Sequence, residues 1–279
     1  LRDPVARVRT WDAWARHRAL ILLLGCASIL RLALVVQGGQ LYWPDERLYT
    51  HVLDILDLNR ASWFDAIKAL VGTQDHLGFA LISAVPAAMQ LALGHALSRS
   101  GNGLMILPGI VLSQVSVVSI GLVYAIVARR AGRDRVEPLV AAVLMASATT
   151  MFYYARHLLP YDSAMALGLA ALWCGLGTTR RDSLLCGAAA SAAFITYNGY
   201  WLLVGVVLLT HVVHEGRTSM KSALTRAVFA GAGFLLVPLV LMAAELATGA
   251  PLLVSGMRRL AGTVTDGYAP EGFRVTWAY

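Results

Sequence analysis

Two adjacent carboxylates, Asp45 and Glu46, stand just past the first long apolar run of the chain, in Trp43-Pro44-Asp45-Glu46-Arg47-Leu48-Tyr49. A carboxylate at a water–membrane boundary can take the proton from an acceptor hydroxyl as that oxygen attacks. Arg31 lies inside the same apolar run, where a charge is expensive unless it is paired or faces a polar cavity. It either snorkels to headgroups or faces the cavity that Asp45 serves and holds an anionic phosphate. Asp75-His76 and the run Arg156-His157 to Tyr161-Asp162 are the other polar concentrations between apolar runs. Carboxylates and cations gathered at one membrane depth suit a reaction on a lipid-linked phosphate, because cations neutralise charge as it develops on the leaving group. Each residue also has a plainer reading. The acidic pair can be a solvated loop, His76 a helix cap and His157 an interfacial ring. Asp162 can be an N-cap ahead of Ser163, and Tyr153, Tyr154, Tyr161, Tyr197, Tyr200 and Trp201 an aromatic belt.

Composition decides what kind of scaffold holds these residues. The chain has 279 residues, 58% hydrophobic and 14% charged, with a mean hydropathy of +0.64. A soluble domain of this size cannot hide that much apolar surface, so the fold class is all-α, a polytopic transmembrane bundle. The net charge of +7 sits in short clusters between apolar runs, as in cytoplasmic loops. No basic-aromatic groove or nucleic-acid motif appears, which excludes nucleic acid as a partner. Cys26, Cys174 and Cys186 lie in or beside apolar runs and read as small buried residues without a disulfide framework.

The elements follow from the apolar runs. Arg2, Arg7, Arg9, Arg16 and Arg18 precede the first span, 19–37, and place the N-terminus in the cytoplasm. Trp11 and Trp14 suit a short helix lying at the interface. Residues 38–77 form an outer loop. Within it, Arg47, Thr50, His51, Asp54 and Asp57 alternate with Leu48, Val52, Leu53, Ile55 and Leu56 as in an amphipathic surface helix, in which Asp54 and Asp57 are a solvated face. Ser62 to Asp65 is similar to a capping box and opens a second short helix over 63–71. The basic clusters Arg129-Arg130-Arg133-Arg135, Arg180-Arg181 and Arg217-Lys221-Arg226 all belong to one side. Run 105–128 must then start where the first span ends, and 78–97, interrupted by Pro86, must return to that side as a tilted interfacial or re-entrant helix. Spans follow at 137–152, 164–178, 184–196, 200–213 and 227–247, with an outer turn at Thr196 to Tyr200. Residues 1–247 are thus a membrane module and 248–279 begins an extracytoplasmic segment. A chain that starts at Leu1 and stops in a polar stretch is expected to be part of a longer one.

Taken in order, these motifs resemble the GT-C superfamily of integral-membrane glycosyltransferases, nearest its protein O-mannosyltransferase and aminoarabinose transferase branch. Arg31-Leu32 late in the first span is similar to the family's Arg-apolar pair. Asp45-Glu46 followed by Tyr49 resembles its first-loop acidic motif. Asp75-His76-Leu77-Gly78-Phe79 is similar to its His-Pro-Leu-Tyr segment, here without the proline. Arg156 to Asp162 resembles its Arg…Asp at the head of an inward helix. The resemblance covers most of 19–247. It implies an inverting sugar transfer from a polyprenyl-phosphate donor at the outer face of the cell membrane, with Asp45 as base and Glu46 positioning the acceptor or the groups around it. Arg31, His76, Arg156, Asp162 and Tyr49 would bind the donor phosphate and sugar. The acceptor would be a protein, lipid or glycan, and membrane lipids surround the whole. No cofactor is assigned. Some relatives use a divalent cation, but no ligand spacing for one is present. The rival classes are a transporter or lipid flippase with a polar path near the midplane, and a non-catalytic assembly subunit.

Overall fold

The structure, a computed structural model, describes residues 4–37, 47–59, 61–73, 76–97, 106–131, 136–213 and 219–249. Among these no strand occurs, and every regular element is a helix. Four helices are long and apolar enough to cross a membrane: Arg18–Val36, Leu77–Ala96, Ile106–Ala131 and Met220–Ala244. That is the mark of a membrane protein, because in lipid every backbone polar group must be satisfied within its own segment.

Helix α1 runs unbroken over Pro4–Val36, so the short surface helix expected around Trp11 and Trp14 is instead continuous with the first span. The amphipathic pattern after it yields α2, Arg47–Leu58, which buries Tyr49, Val52, Leu53, Ile55 and Leu56 and leaves Asp54 exposed. Helix α3 covers Trp63–Thr73 and begins where the Ser62 hydroxyl accepts from the Asp65 amide at 3.2 Å. Helix α4, Leu77–Ala96, carries Pro86 inside it. It is a single unbroken helix, without the internal turn that a re-entrant segment needs. Tyr49 ties α2 to it by donating to Gln90 Oε1 at 2.7 Å.

Helix α5, Ile106–Ala131, runs antiparallel to α1. Ser28 donates to Gln114 at 2.6 Å, and Val35 lies where a side chain on Gly109 would fall. The third long run therefore begins at the end of the bundle where the first one finishes, as the charge pattern requires. The next run divides: α6, Glu137–Ser147, ends at an extended Ala148, and α7, Thr149–Tyr154, starts afresh. The expected single span over 137–152 is thus two pieces, and the bend sets Phe152 beside α1.

The second half is a four-helix unit. Helix α8, Pro160–Gly175, starts from an extended Leu159 with Pro160 in its first turn, where the missing proline N–H is no loss. Helix α9, Arg180–Thr196, opens on a reciprocal capping box between Thr179 and Asp182. A 3-10 turn at Asn198–Tyr200 leads into α10, Trp201–Val213, and α11 covers Met220–Thr248. Gly168 meets Leu203 and Gly175 meets His211, so α8 and α10 run in the same direction with α9 reversed between them. Buried His211 locks the unit: its ring nitrogens bond the Gly175 carbonyl at 2.6 Å and the Ser183 hydroxyl at 2.9 Å. Leu77, Ile195 and Leu241 pack together, which brings α4, α9 and α11 to a common end.

Helices α9 and α11 touch through glycine. A Cβ on Gly233 would collide with the Leu184 carbonyl, and one on Gly187 with the Ala230 carbonyl. Gly231, two residues away, has nothing within 4 Å. Gly233→Ala should therefore lower stability by about 1–3 kcal/mol through overpacking. Gly231→Ala should be neutral or stabilising, since alanine is the better helix former. Thermal unfolding of the two variants in detergent, side by side, checks this, and equal effects would rule out the close crossing.

Candidate functional site

Arg31 is wholly buried, at 0% exposure. It lies five residues before the end of α1, about 7–8 Å inside it. Its Nε donates to the Ser116 hydroxyl on α5. Its Nη1 donates to the Ala27 carbonyl of its own helix at 3.2 Å. The guanidinium lies 5.2 Å over the Phe152 ring on α7. Nη2 is buried and has no hydrogen-bond partner among the described residues. The side chain points into the bundle, so snorkelling to headgroups is excluded.

Asp162 answers that cation. It is buried and stands two residues after Pro160, inside the first turn of α8. The N-cap is Leu159, with no side-chain cap bond, so the capping role open to Asp162 is excluded. Arg31 and Asp162 act on one another electrostatically, yet among the described residues they do not close into a direct ion pair. The result is a buried cation with an unfilled donor within electrostatic reach of a buried carboxylate.

Beside the pair, the five tyrosines form one connected cluster with His76 and His157, while Trp201 is exposed. Ring centroids of Tyr154 and Tyr161 lie 4.9 Å apart, and those of Tyr161 and Tyr197 4.7 Å. Tyr197 meets Tyr200 at 5.3 Å and His76 at 5.5 Å. Tyr153 links Tyr154 to buried His157 at 5.3 and 5.0 Å. Tyr200 lies within electrostatic reach of Asp162. Edge-to-face rings at these spacings are a packed arrangement, whereas a belt would scatter them around the perimeter. Segments 76, 153–161 and 197–200 are far apart in the chain and meet only because α8 starts where α9 ends and α4 begins.

Of the residues singled out from sequence, Arg31, Asp162 and His76 are thus gathered at one end of the bundle. Arg156 is exposed on the turn between α7 and α8. Tyr49 is in the core, bonded to Gln90, and holds α2 on α4. Asp45, Glu46 and Asp75 lie outside the described residues. Ser116, Phe152 and the connected tyrosines are the additions. Arg31 alone signalled that something on another helix must meet it, but not what. Among the described residues no three His, Cys, Asp or Glu side chains converge as a metal site. No protein-family model matches the chain, nor does any curated protein or any solved structure.

If Arg31 and Asp162 form a functional couple, their contributions to stability are not additive. Removing either alone strands a buried charge, which costs about 3–5 kcal/mol where the pair is tight. The double variant Arg31→Met with Asp162→Leu should cost less than the sum of the two single changes, with a coupling of about 1 kcal/mol or more. A double-mutant cycle by thermal unfolding reads this directly, and strict additivity would dissolve the couple.

Proposed function

We propose that this protein is a GT-C-like membrane glycosyltransferase, which moves a sugar from a polyprenyl-phosphate donor to an acceptor hydroxyl on the extracytoplasmic face. The observation that carries the reading is the buried Arg31 guanidinium with a free Nη2 donor, set opposite Asp162 and beside a tyrosine cluster. A buried donor without a partner suits a phosphate oxygen, and tyrosine edges and hydroxyls suit a sugar. The sidedness has its own support. Arg129, Arg180 and Arg226 gather with the α8–α9 turn at the far end of the bundle, which the positive-inside rule assigns to the cytoplasm. The Arg31–Asp162 end is then the outer one, and the N-terminus is cytoplasmic.

In this reading the acceptor oxygen attacks the anomeric carbon from the face opposite the phosphate. Asp45 takes the acceptor's proton, with Glu46 beside it. The bond from the anomeric carbon to the phosphate oxygen breaks, and its electron pair leaves with the polyprenyl phosphate. Arg31 stabilises that growing charge from a dry site, where a preset donor is most effective. Asp162 keeps the guanidinium aimed and faces the sugar, with His76, Tyr161 and Tyr197 around it. Configuration inverts because displacement occurs once.

The test supplies purified protein in liposomes with labelled polyprenyl-phosphate sugars and acceptors of the three classes: protein, lipid and glycan. Wild type should release polyprenyl phosphate from one donor. Asp45→Asn should lower turnover by roughly 10²–10⁴-fold, and Arg31→Gln by roughly 10²–10³-fold. An Asp45→Asn variant as active as wild type would remove Asp45 as the base. Movement of intact labelled donor between leaflets, with no cleavage, would replace the transferase by a flippase.

A further inference from the structure

A serine or threonine hydroxyl inside a helix has a default acceptor, the carbonyl three or four residues before it. Ser113, Ser119 and Thr196 use it, donating to the carbonyls of Ile110, Val115 and Ala192 at 2.9, 3.2 and 2.8 Å. Ser83 of α4 does not. Its side chain is 0% exposed, and its Oγ has no hydrogen-bond partner among the described residues. Three residues on, Pro86 has no N–H to give, so the carbonyl of Ile82 loses its intrahelical donor. Ser83 follows Ile82 in the chain and is buried along with Pro86. One turn of an otherwise apolar helix thus holds an unpaired hydroxyl next to a carbonyl without its usual partner. Each is costly in a dry interior.

The face that carries this notch belongs to the functional end. Phe79, Ala80 and Ala87, one turn to either side of Ser83, share a buried cluster with Leu112 of α5 and Leu158. Leu112 stands four residues before Ser116, which holds Arg31, and Leu158 four before Asp162. At the head of α4, His76 meets Tyr197 and Gly78 lies against Thr196. The missing rung also makes this the turn at which α4 bends most readily. A group that fills the notch must accept from the Ser83 O–H and donate to the Ile82 carbonyl. A hydroxyl does both, whereas an ionised phosphate oxygen only accepts. We infer, on the transferase reading, that Ser83 and the Ile82 carbonyl bind a substrate hydroxyl, carried either by the sugar of the donor or by the acceptor.

The test compares wild type, Ser83→Ala and Ser119→Ala as whole proteins. Melted in detergent without substrate, Ser83→Ala should unfold about 2–4 °C above wild type, because it removes a buried hydroxyl that bonds nothing. Turnover is then followed in liposomes with the polyprenyl-phosphate sugar and the acceptor that wild type uses. Ser83→Ala should raise one KM roughly 3- to 10-fold, the loss of one neutral hydrogen bond, and change kcat less. A higher KM for the donor assigns the notch to the sugar; a higher KM for the acceptor assigns it to the acceptor. Ser119→Ala, whose hydroxyl is bonded within α5, should leave both constants unchanged and bring no rise in melting temperature. A lower melting temperature for Ser83→Ala would show its hydroxyl to be engaged in the unliganded fold, by water if not by the chain, and would overturn the inference. Unchanged KM values in an enzyme that turns over would overturn it too, with the transferase reading left standing. If wild type cleaved no donor, that reading would fall and take the ligand assigned here with it.

Discussion

A guanidinium buried among apolar helices has to be answered by its neighbours, and much of one end of this bundle is arranged as that answer. Arg31 draws Ser116 of α5, Phe152 of α7 and Asp162 of α8 around itself. The bend at Ala148 is what brings Phe152 there, and the early start of α8 at Pro160 is what places Asp162 inside the first turn. An apolar residue at position 31 would pack at lower cost, because paired buried charges seldom repay their desolvation. An unfilled Nη2 adds to that cost. Costs of this kind persist where something is gained in exchange, most often at a site that binds or reacts.

The rest of the scaffold reaches close packing by small residues and self-satisfied hydroxyls. Buried Ser113, Ser116 and Ser119 of α5 donate back to the carbonyls of Ile110, Ser113 and Val115, so they enter the interior without an orphaned proton. Ser116 still has a lone pair to offer Arg31. Glycines at 187 and 233 let α9 and α11 meet backbone to backbone, the usual solution where lipid removes the hydrophobic drive for helices to associate. His211 adds a strongly polar joint to the second half, shared by α8, α9 and α10.

This division explains what the sequence could convey. Apolar runs and their 3.6-residue phase are local properties, so the long helices at 18–36, 106–131 and 220–244 and the buried face of α2 were readable, down to Val52, Leu53, Ile55 and Leu56, while Leu77–Ala96, read as an interfacial or re-entrant piece, is itself long and apolar enough to cross. The sense in which α5 returns along α1 was readable too, because clusters of arginine constrain direction. Relations across space were not. An aspartate before a helix has the same signature whether it caps the helix or sits in its first turn facing a charge. Tyrosines in short polar segments have the same signature whether they ring a membrane or pack on one another. Tyr49 follows the acidic pair as a motif residue would, yet its phase on α2 turns it onto Gln90. The break at Ala148 carries no proline or glycine to announce it.

The two ends of the bundle differ in chemistry, and the difference follows from how each manages charge. At the end with Arg31 and Asp162, opposite charges are both buried and act on one another near a connected set of tyrosine rings. That arrangement stabilises charge that appears only transiently, because a preset dipole in a dry site acts on it without reorganising. At the far end, Arg180, Lys221 and Arg226 line a hollow together with Ser219, Ser222 and Thr225, and Asp182 is engaged with Thr179. A chain whose polar residues merely decorated helix ends would have no reason to separate the two. The separation is therefore what the proposed transferase needs: a preset buried donor at one end of the bundle, with the basic residues collected at the other.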